Sequence, residues 1–129
     1  MRMLSMYNKE LALDIFQQIK DATEKVLFRF EQIKSVDDFT NSNAGMEKLD
    51  AICMQLIAIG ESLKNIDKIT NKDLLIKYSD IDWKGVKGLR DIISHHYFDV
   101  DAEQIYWVCD KNIPQLNITV KQIINDLKK

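Results

Sequence analysis

Between Ile15 and Leu127 the apolar residues return in steps of three and four, and only one proline and four glycines stand in the chain to interrupt them. A period near 3.6 stacks apolar side chains on one face of a helix, whereas a half-buried strand needs a period of two. With so few breakers and so many Ile, Leu, Lys and Asp residues, the chain is predicted to be all-α. The stripes are too short for a long coiled coil, so the helices must bury one another. The expectation is a compact antiparallel bundle of four or five helices, with an up-and-down core and a short extra helix. At 129 residues it is read as a single domain spanning 1–129.

Taken in order, a first long helix is predicted from about Asn8 to about Ser35. Ile15, Ile19, Ala22, Val26, Phe30 and Ile33 form its inner face, and Lys20, Glu24, Lys25 and Arg29 its solvated one. A polar connection follows, with a short turn at Val36 to Phe39. The second long helix is predicted from Ala44 to Ile66. Its stripe of Met46, Leu49, Cys53, Leu56, Gly60 and Leu63 is widened by Ile52, Ile59 and Ile66, which implies burial on two sides. Gly60 costs about 1 kcal/mol relative to Ala in a helix interior, and close approach of a neighbouring backbone would account for it. Glu61 beside it either faces the motif helix or is solvated. Thr70 and Asp73 form a candidate capping box ahead of Leu74-Leu75-Ile76. Asp82 suits the N-cap of a helix starting near Trp83, and Asp101 with Gln104 opens a short helix from Ala102 to Lys111. Pro114 should break that helix and start the last one, whose stripe is Leu116, Val120, Ile123 and Leu127.

Composition excludes several function classes. The net charge is −2, so no global basic field draws in nucleic acid, and any RNA contact must rest on a local patch. No run approaches the ~20 apolar residues of a membrane span. Asn8, Lys9, Glu10 and Asp14 interrupt what would be the core of a signal peptide, so a cytoplasmic location is expected. Cys53 and Cys109 each sit inside a helical pattern and read as buried core thiols. There is no Gly-rich phosphate loop and no HExxH. Trp83 and Trp107 read as core or interface anchors rather than base-stacking platforms.

The chemistry concentrates between Gly88 and Phe98, which hold both histidines, an arginine and a tyrosine. Leu89, Ile92, Ile93 and Phe98 fit one buried side of a helix. Arg90, Ser94 and Tyr97 fall near one line, and Asp91 and His95 form an adjoining i, i+4 pair. An ionised Asp91 can bond one ring nitrogen of His95 and raise its basicity. His96 points about 100° further round the helix, so the two histidines do not share a target atom. A charged fork, an imidazole and a phenol on neighbouring faces suit a phosphate. Lys84, Lys87 and Arg90 step along the same helix and are candidates for an RNA-backbone track together with His96. Gly85 and Gly88 leave a side-chain-free patch able to admit a partner helix or a nucleotide backbone. The competing readings are a histidine that merely caps helix carbonyls beside a solvated arginine, and a metal site at His95, His96, Asp99 and Asp101. The latter spacing matches no common zinc pattern, so no metal and no cofactor are expected.

Arg90, four residues, His95, one residue and Tyr97 resemble the Arg-x4-His-x-Tyr motif of the HEPN superfamily, and within it the HepT-like toxins. Ile59-Gly60-Glu61-Ser62 is similar to the family's Ile-Gly-Glu-Ala stretch. Tyr78-Ser79-Asp80-Ile81-Asp82-Trp83 resembles its Tyr-Pro-x-Ile-x-Trp lead-in, with Ser79 where proline is usual. The likeness continues through Tyr97-Phe98-Asp99-Val100-Asp101 and Ile113-Pro114-Gln115-Leu116, and covers about Leu11 to Leu127. It implies a HEPN-like bundle acting as a metal-independent endoribonuclease, with a cleft shared between the two copies of a homodimer. Arg90 would neutralise the scissile phosphate and His95 would move protons, with Asp91 where the family often has Asn. The resemblance further implies a type VII-like toxin–antitoxin pair. Its partner would be an MntA-like minimal nucleotidyltransferase antitoxin that transfers AMP to Tyr97. The alternative is a non-catalytic helical module that docks such a nucleotidyltransferase and presents substrate or nucleotide to it.

Overall fold

The computed structural model describes residues 5–95 and 100–129, without the side chains of Tyr7 and His95. Among the described residues there is no strand. The helices are α1 (Met6–Phe30), α2 (Asp37–Thr40), α3 (Asn43–Ile69), α4 (Trp83–Lys87), α5 (Leu89–His95), α6 (Ala102–Trp107) and α7 (Ile113–Lys128). A 3-10 turn at Leu75–Lys77 and a π-helical turn at Val108–Asn112 complete them.

The bundle is built on α1, which packs against α3 and α7. Both neighbours run antiparallel to it. Asn8 Nδ2 donates to the Ile69 carbonyl at one end of the α1–α3 pair, and Arg29 Nη1 to the Ala51 carbonyl near the other. On the α7 side, Asn117 Nδ2 donates to Thr23 Oγ1 at 2.9 Å inside the core, while Tyr106, just ahead of α7, stacks edge-on against Phe30. Phe16, Ile19 and Val26 of α1 meet Ile52, Leu56, Ile59 and Leu63 of α3 and Leu116, Val120 and Ile123 of α7, all buried. This is the predicted all-α antiparallel bundle, and the apolar stripes read from the sequence are its inner faces, except at Met46, which lies in the first turn of α3 and is 40% exposed.

The element ends differ in instructive ways. The first helix stops at Phe30 rather than Ser35, because Asp38 Oδ2 accepts the Lys34 amide at 2.7 Å and turns the chain towards α2. Ile33 is nevertheless buried beyond the helix end. The Thr70–Asp73 capping box does not form. Thr70 Oγ1 instead donates back to the Ile66 carbonyl at 2.7 Å, closing α3, and Leu74 caps the 3-10 turn without a side-chain bond. Nor does Pro114 break the chain. The helix widens to a π turn over Val108–Asn112, which absorbs the missing amide and the ring's clash with the preceding turn, and continues into α7 with proline in its first turn. The Asp82 and Asp101 caps form as predicted, accepting from the Gly85 and Gln104 amides. Cys53 and Cys109 are buried free thiols.

Candidate active site

The helix carrying the motif is two short pieces, α4 and α5, joined at Gly88, and both lie against α3. Gly60 makes that contact possible. A Cβ placed there would stand 3.1 Å from the Val86 carbonyl oxygen and 3.3 Å from that of Lys87, so the α4 backbone rests directly on a bare stretch of α3. The close approach that the sequence suggested is therefore real, and its partner is the motif helix itself. Val86, Leu89 and Ile93 point into the core from this side. Ile92 does not: it is 37% exposed, which corrects its placement on the buried face. With α5 only two turns long and lying on α3, the inward arc has room for Leu89 and Ile93 but not for a residue one step round.

Seating α4 on Gly60 brings Arg90 to the next residue of α3. Arg90 Nε lies 3.3 Å from Glu61 Oε1, so the glutamate faces the motif helix. Both side chains remain about half exposed, at 52% and 46%, and Glu61 is also 3.7 Å from Lys64 Nζ. Binding through Nε leaves the terminal fork of the guanidinium, the part that matches phosphate geometry, without a second acid partner among the described residues. The other predicted residues divide as follows. Lys84 is exposed on α4. Lys87 is engaged, its Nζ 2.5 Å from Asp67 Oδ2. Asp91 lines a cleft beside α3. His95 ends α5, so Arg90 and His95 share one short helix, but its side chain, and with it the proposed bond to Asp91, lies outside the described residues. His96, Tyr97, Phe98 and Asp99 also lie outside them.

Two clefts flank the motif helix. The first, of about 190 Å³, lies between it and the α6–α7 junction. Its walls include Ile81, Val86, Leu89, Ile92, Val108 and Ile113, and Gly85 opens onto it. The second, of about 630 Å³, lies on the opposite side, against the C-terminal end of α3. It is lined by Lys64, Lys68, Lys72, Lys84 and Lys87, with Asp67, Gly88 and Asp91. Lys64, Lys68 and Lys72 were not legible as site residues. The second helix was expected to end at Ile66, and only the crossing of α4 over Gly60 puts them opposite Lys84. Among the described residues no three His, Cys, Asp or Glu side chains gather as a metal site, and no helix is long and apolar enough to cross a membrane. Trp83 donates its indole N–H to the Tyr78 carbonyl at 2.8 Å as an internal anchor, while Trp107 is half exposed against Tyr106.

The family model described as "Ribonuclease HepT-like" matches residues 13–123. Among curated relatives, the chain is 33% identical to "Putative RNase MJ0127" of Methanocaldococcus jannaschii, over 76% of this chain and 83% of the relative. It is 32% identical to "Putative RNase TTE0752" of Caldanaerobacter subterraneus, over 78% of this chain and 86% of the relative. No solved structure matches the chain significantly.

Proposed function

The chain belongs to the HepT-like ribonuclease family and is an RNA-cleaving enzyme of that family, and from that premise we propose how it cuts and how it is restrained. The cut is internal to the strand and needs no metal. The RNA 2′-hydroxyl attacks the adjacent phosphorus, the bond to the 5′-oxygen breaks, and a 2′,3′-cyclic phosphate and a 5′-hydroxyl result. His95 takes the proton of the attacking hydroxyl or supplies one to the leaving oxygen, and Arg90 carries the charge that builds on the phosphate. Asp91 orients His95, and Lys84, Lys87 and His96 hold the strand.

The observation that carries this reading is the state of Arg90. Its guanidinium is half exposed, ion-paired with Glu61 at 3.3 Å without a formed hydrogen bond, and set five residues ahead of His95 on one short helix. Such a side chain is oriented before substrate arrives and still has its fork to offer. The cleft is completed by a second copy of the chain meeting the first along the motif helices. Ile92, two residues after Arg90 on the same helix, leaves an apolar side chain exposed that a second copy could cover. A minimal nucleotidyltransferase antitoxin transfers AMP from ATP to the Tyr97 phenol oxygen, with release of pyrophosphate and the phenol proton, and the added phosphate occupies the anion site and excludes RNA.

Purified protein should cut RNA in the presence of EDTA, and His95→Ala should abolish cutting while leaving the helical circular-dichroism spectrum unchanged. Cleavage stopped by EDTA, or a His95→Ala variant as active as the parent, refutes the mechanism. Co-expression with a minimal nucleotidyltransferase antitoxin of the MntA-like kind should add the mass of one or more AMP units at Tyr97. The second reading, a non-catalytic module that docks the nucleotidyltransferase, draws on the apolar cleft at Gly85. It requires tight heteromeric binding without any RNA cleavage.

A further inference from the structure

We infer that the lysine-lined cleft between the C-terminal end of α3 and the motif helix seats the phosphodiester backbone of single-stranded RNA on its way to Arg90. This rests on the ribonuclease reading above and names residues that the motif does not contain.

Three observations carry it. First, the cleft is strongly basic in a chain that is not. Lys64, Lys68, Lys72, Lys84 and Lys87 face two carboxylates, Asp67 and Asp91, leaving a local excess of three positive charges, whereas the whole chain carries −2. A slightly acidic protein that grips a polyanion needs such a concentrated strip. Second, the cleft joins the site. Lys64 and Arg90 share Glu61 as a partner, at 3.7 and 3.3 Å, so the cleft's wall and the guanidinium meet at one carboxylate. Third, the turn after α3 holds Asn71 at φ 52° and Lys72 at φ 61°. Asparagine tolerates the left-handed region, but the Cβ of a lysine is strained there, where glycine would not be. The residue at this strained position is one that lines the cleft. Strained backbone of this kind gathers at functional sites.

The lining also names the ligand. Ammonium groups meet phosphates as point charges, and among the described residues no aromatic ring lines the cleft to stack a base. It therefore holds the strand without reading its sequence. Asp67 already pairs with Lys87, so the ammonium groups of the lining that are unpaired among the described residues are the ones left for a phosphate. An acidic protein surface is the competing occupant. Continuity with Arg90, where the family's substrate must reach, favours RNA.

The test measures binding of a fluorescent oligouridylate with 2′-O-methyl riboses, which cannot be cut, as a function of salt. Lys64→Gln/Lys68→Gln should weaken binding roughly tenfold and flatten the log–log salt dependence by about 0.7 for each phosphate that the cleft no longer neutralises. A mixed-sequence strand should show the same loss. Lys25→Gln/Lys48→Gln removes equal charge towards the other end of the bundle, with Lys48 about 30 Å along α3 from Lys68, and should bind as the parent does. Lys72→Gly should raise Tm by about 3 °C, through relief at the left-handed position, and yet weaken RNA binding. Opposite signs of stability and affinity are foreign to a merely structural lysine. Parental affinity in the cleft variants overturns the inference, as does loss of nucleotidyltransferase binding with RNA binding intact. If the parent binds the probe but cuts no RNA, the cleavage mechanism fails while the cleft stands. If the parent cuts RNA and the cleft variants bind normally, only the cleft inference fails.

Discussion

At the scale of single residues, the site depends on one missing methyl group. Gly60 lets the Val86 and Lys87 carbonyls lie on α3, and that contact sets where Arg90 meets Glu61. Gly60→Ala should therefore destabilise the protein by about 1–2 kcal/mol in urea unfolding, although alanine is the better helix former, because overpacking outweighs the gain in propensity. Arg90→Lys keeps the charge but loses the planar fork. Its kcat on RNA should fall about a hundredfold with the fold intact, measured by initial cleavage rates. Glycine's role here was half readable in advance: its position inside an apolar stripe announced a close neighbour. Which neighbour, and whether Glu61 was solvated or paired, was not encoded in the local pattern.

Among the elements, the motif helix is the most exposed to small changes. It is two short pieces joined at Gly88, and its first turn is held by the Asp82 carboxylate accepting the Gly85 amide at 3.1 Å. Asp82→Ala should cost about 1 kcal/mol of stability, read as a lower urea midpoint. It should also lower RNA cleavage, because α4 carries Lys84 and Lys87 and leads into Arg90. The caps at Asp82 and Asp101 follow directly from short-range chemistry, a carboxylate three residues ahead of a free amide, and were legible for that reason. Thr70 followed the same pattern and did not cap. Its hydroxyl found the Ile66 carbonyl behind it instead, at a site buried by the packing of α3. The π turn before Pro114 was likewise invisible in the residues. A proline can end a helix or widen it, and the packing of Ile105, Cys109 and Ile113 into one core favours the continuous path.

For the molecule as a whole, the buried thiols tie stability to pH. Burial lifts Cys53 from 9.0 to about 11, with Asp50 adding to the shift, and lifts Cys109 to about 12, with Cys53 and Asp110 adding to it. Burial, followed by its bond to Asp126, raises Tyr78 as well. All three are held in the neutral, protonated form more firmly when folded than when unfolded. Their contribution is thus whole below about pH 9 and is lost as pH climbs towards 11 and 12. Tm should fall steeply across that window, and Cys53→Ala should make the alkaline decline shallower in thermal melts. The single-domain reading is a proposal tested by the same measurements, since urea unfolding should then be one cooperative transition with coincident fluorescence and circular-dichroism curves. Sedimentation should find a dimer, and Ile92→Asp should shift it to monomer.

The residues alone determined the helical class, most of the residues that turn inward and the helix that carries the Arg90–His95 motif. Each of these depends on periodicity and neighbours a few positions apart, and such interactions are written along the chain. Where α4 crosses α3 was settled only in three dimensions, and with it the Glu61–Arg90 pair, the exposure of Ile92 and the meeting of Lys64, Lys68 and Lys72 with Lys84. Those residues lie well apart along the chain and become neighbours through one helix–helix contact at Gly60, whose geometry follows from the packing of whole surfaces rather than from local sequence.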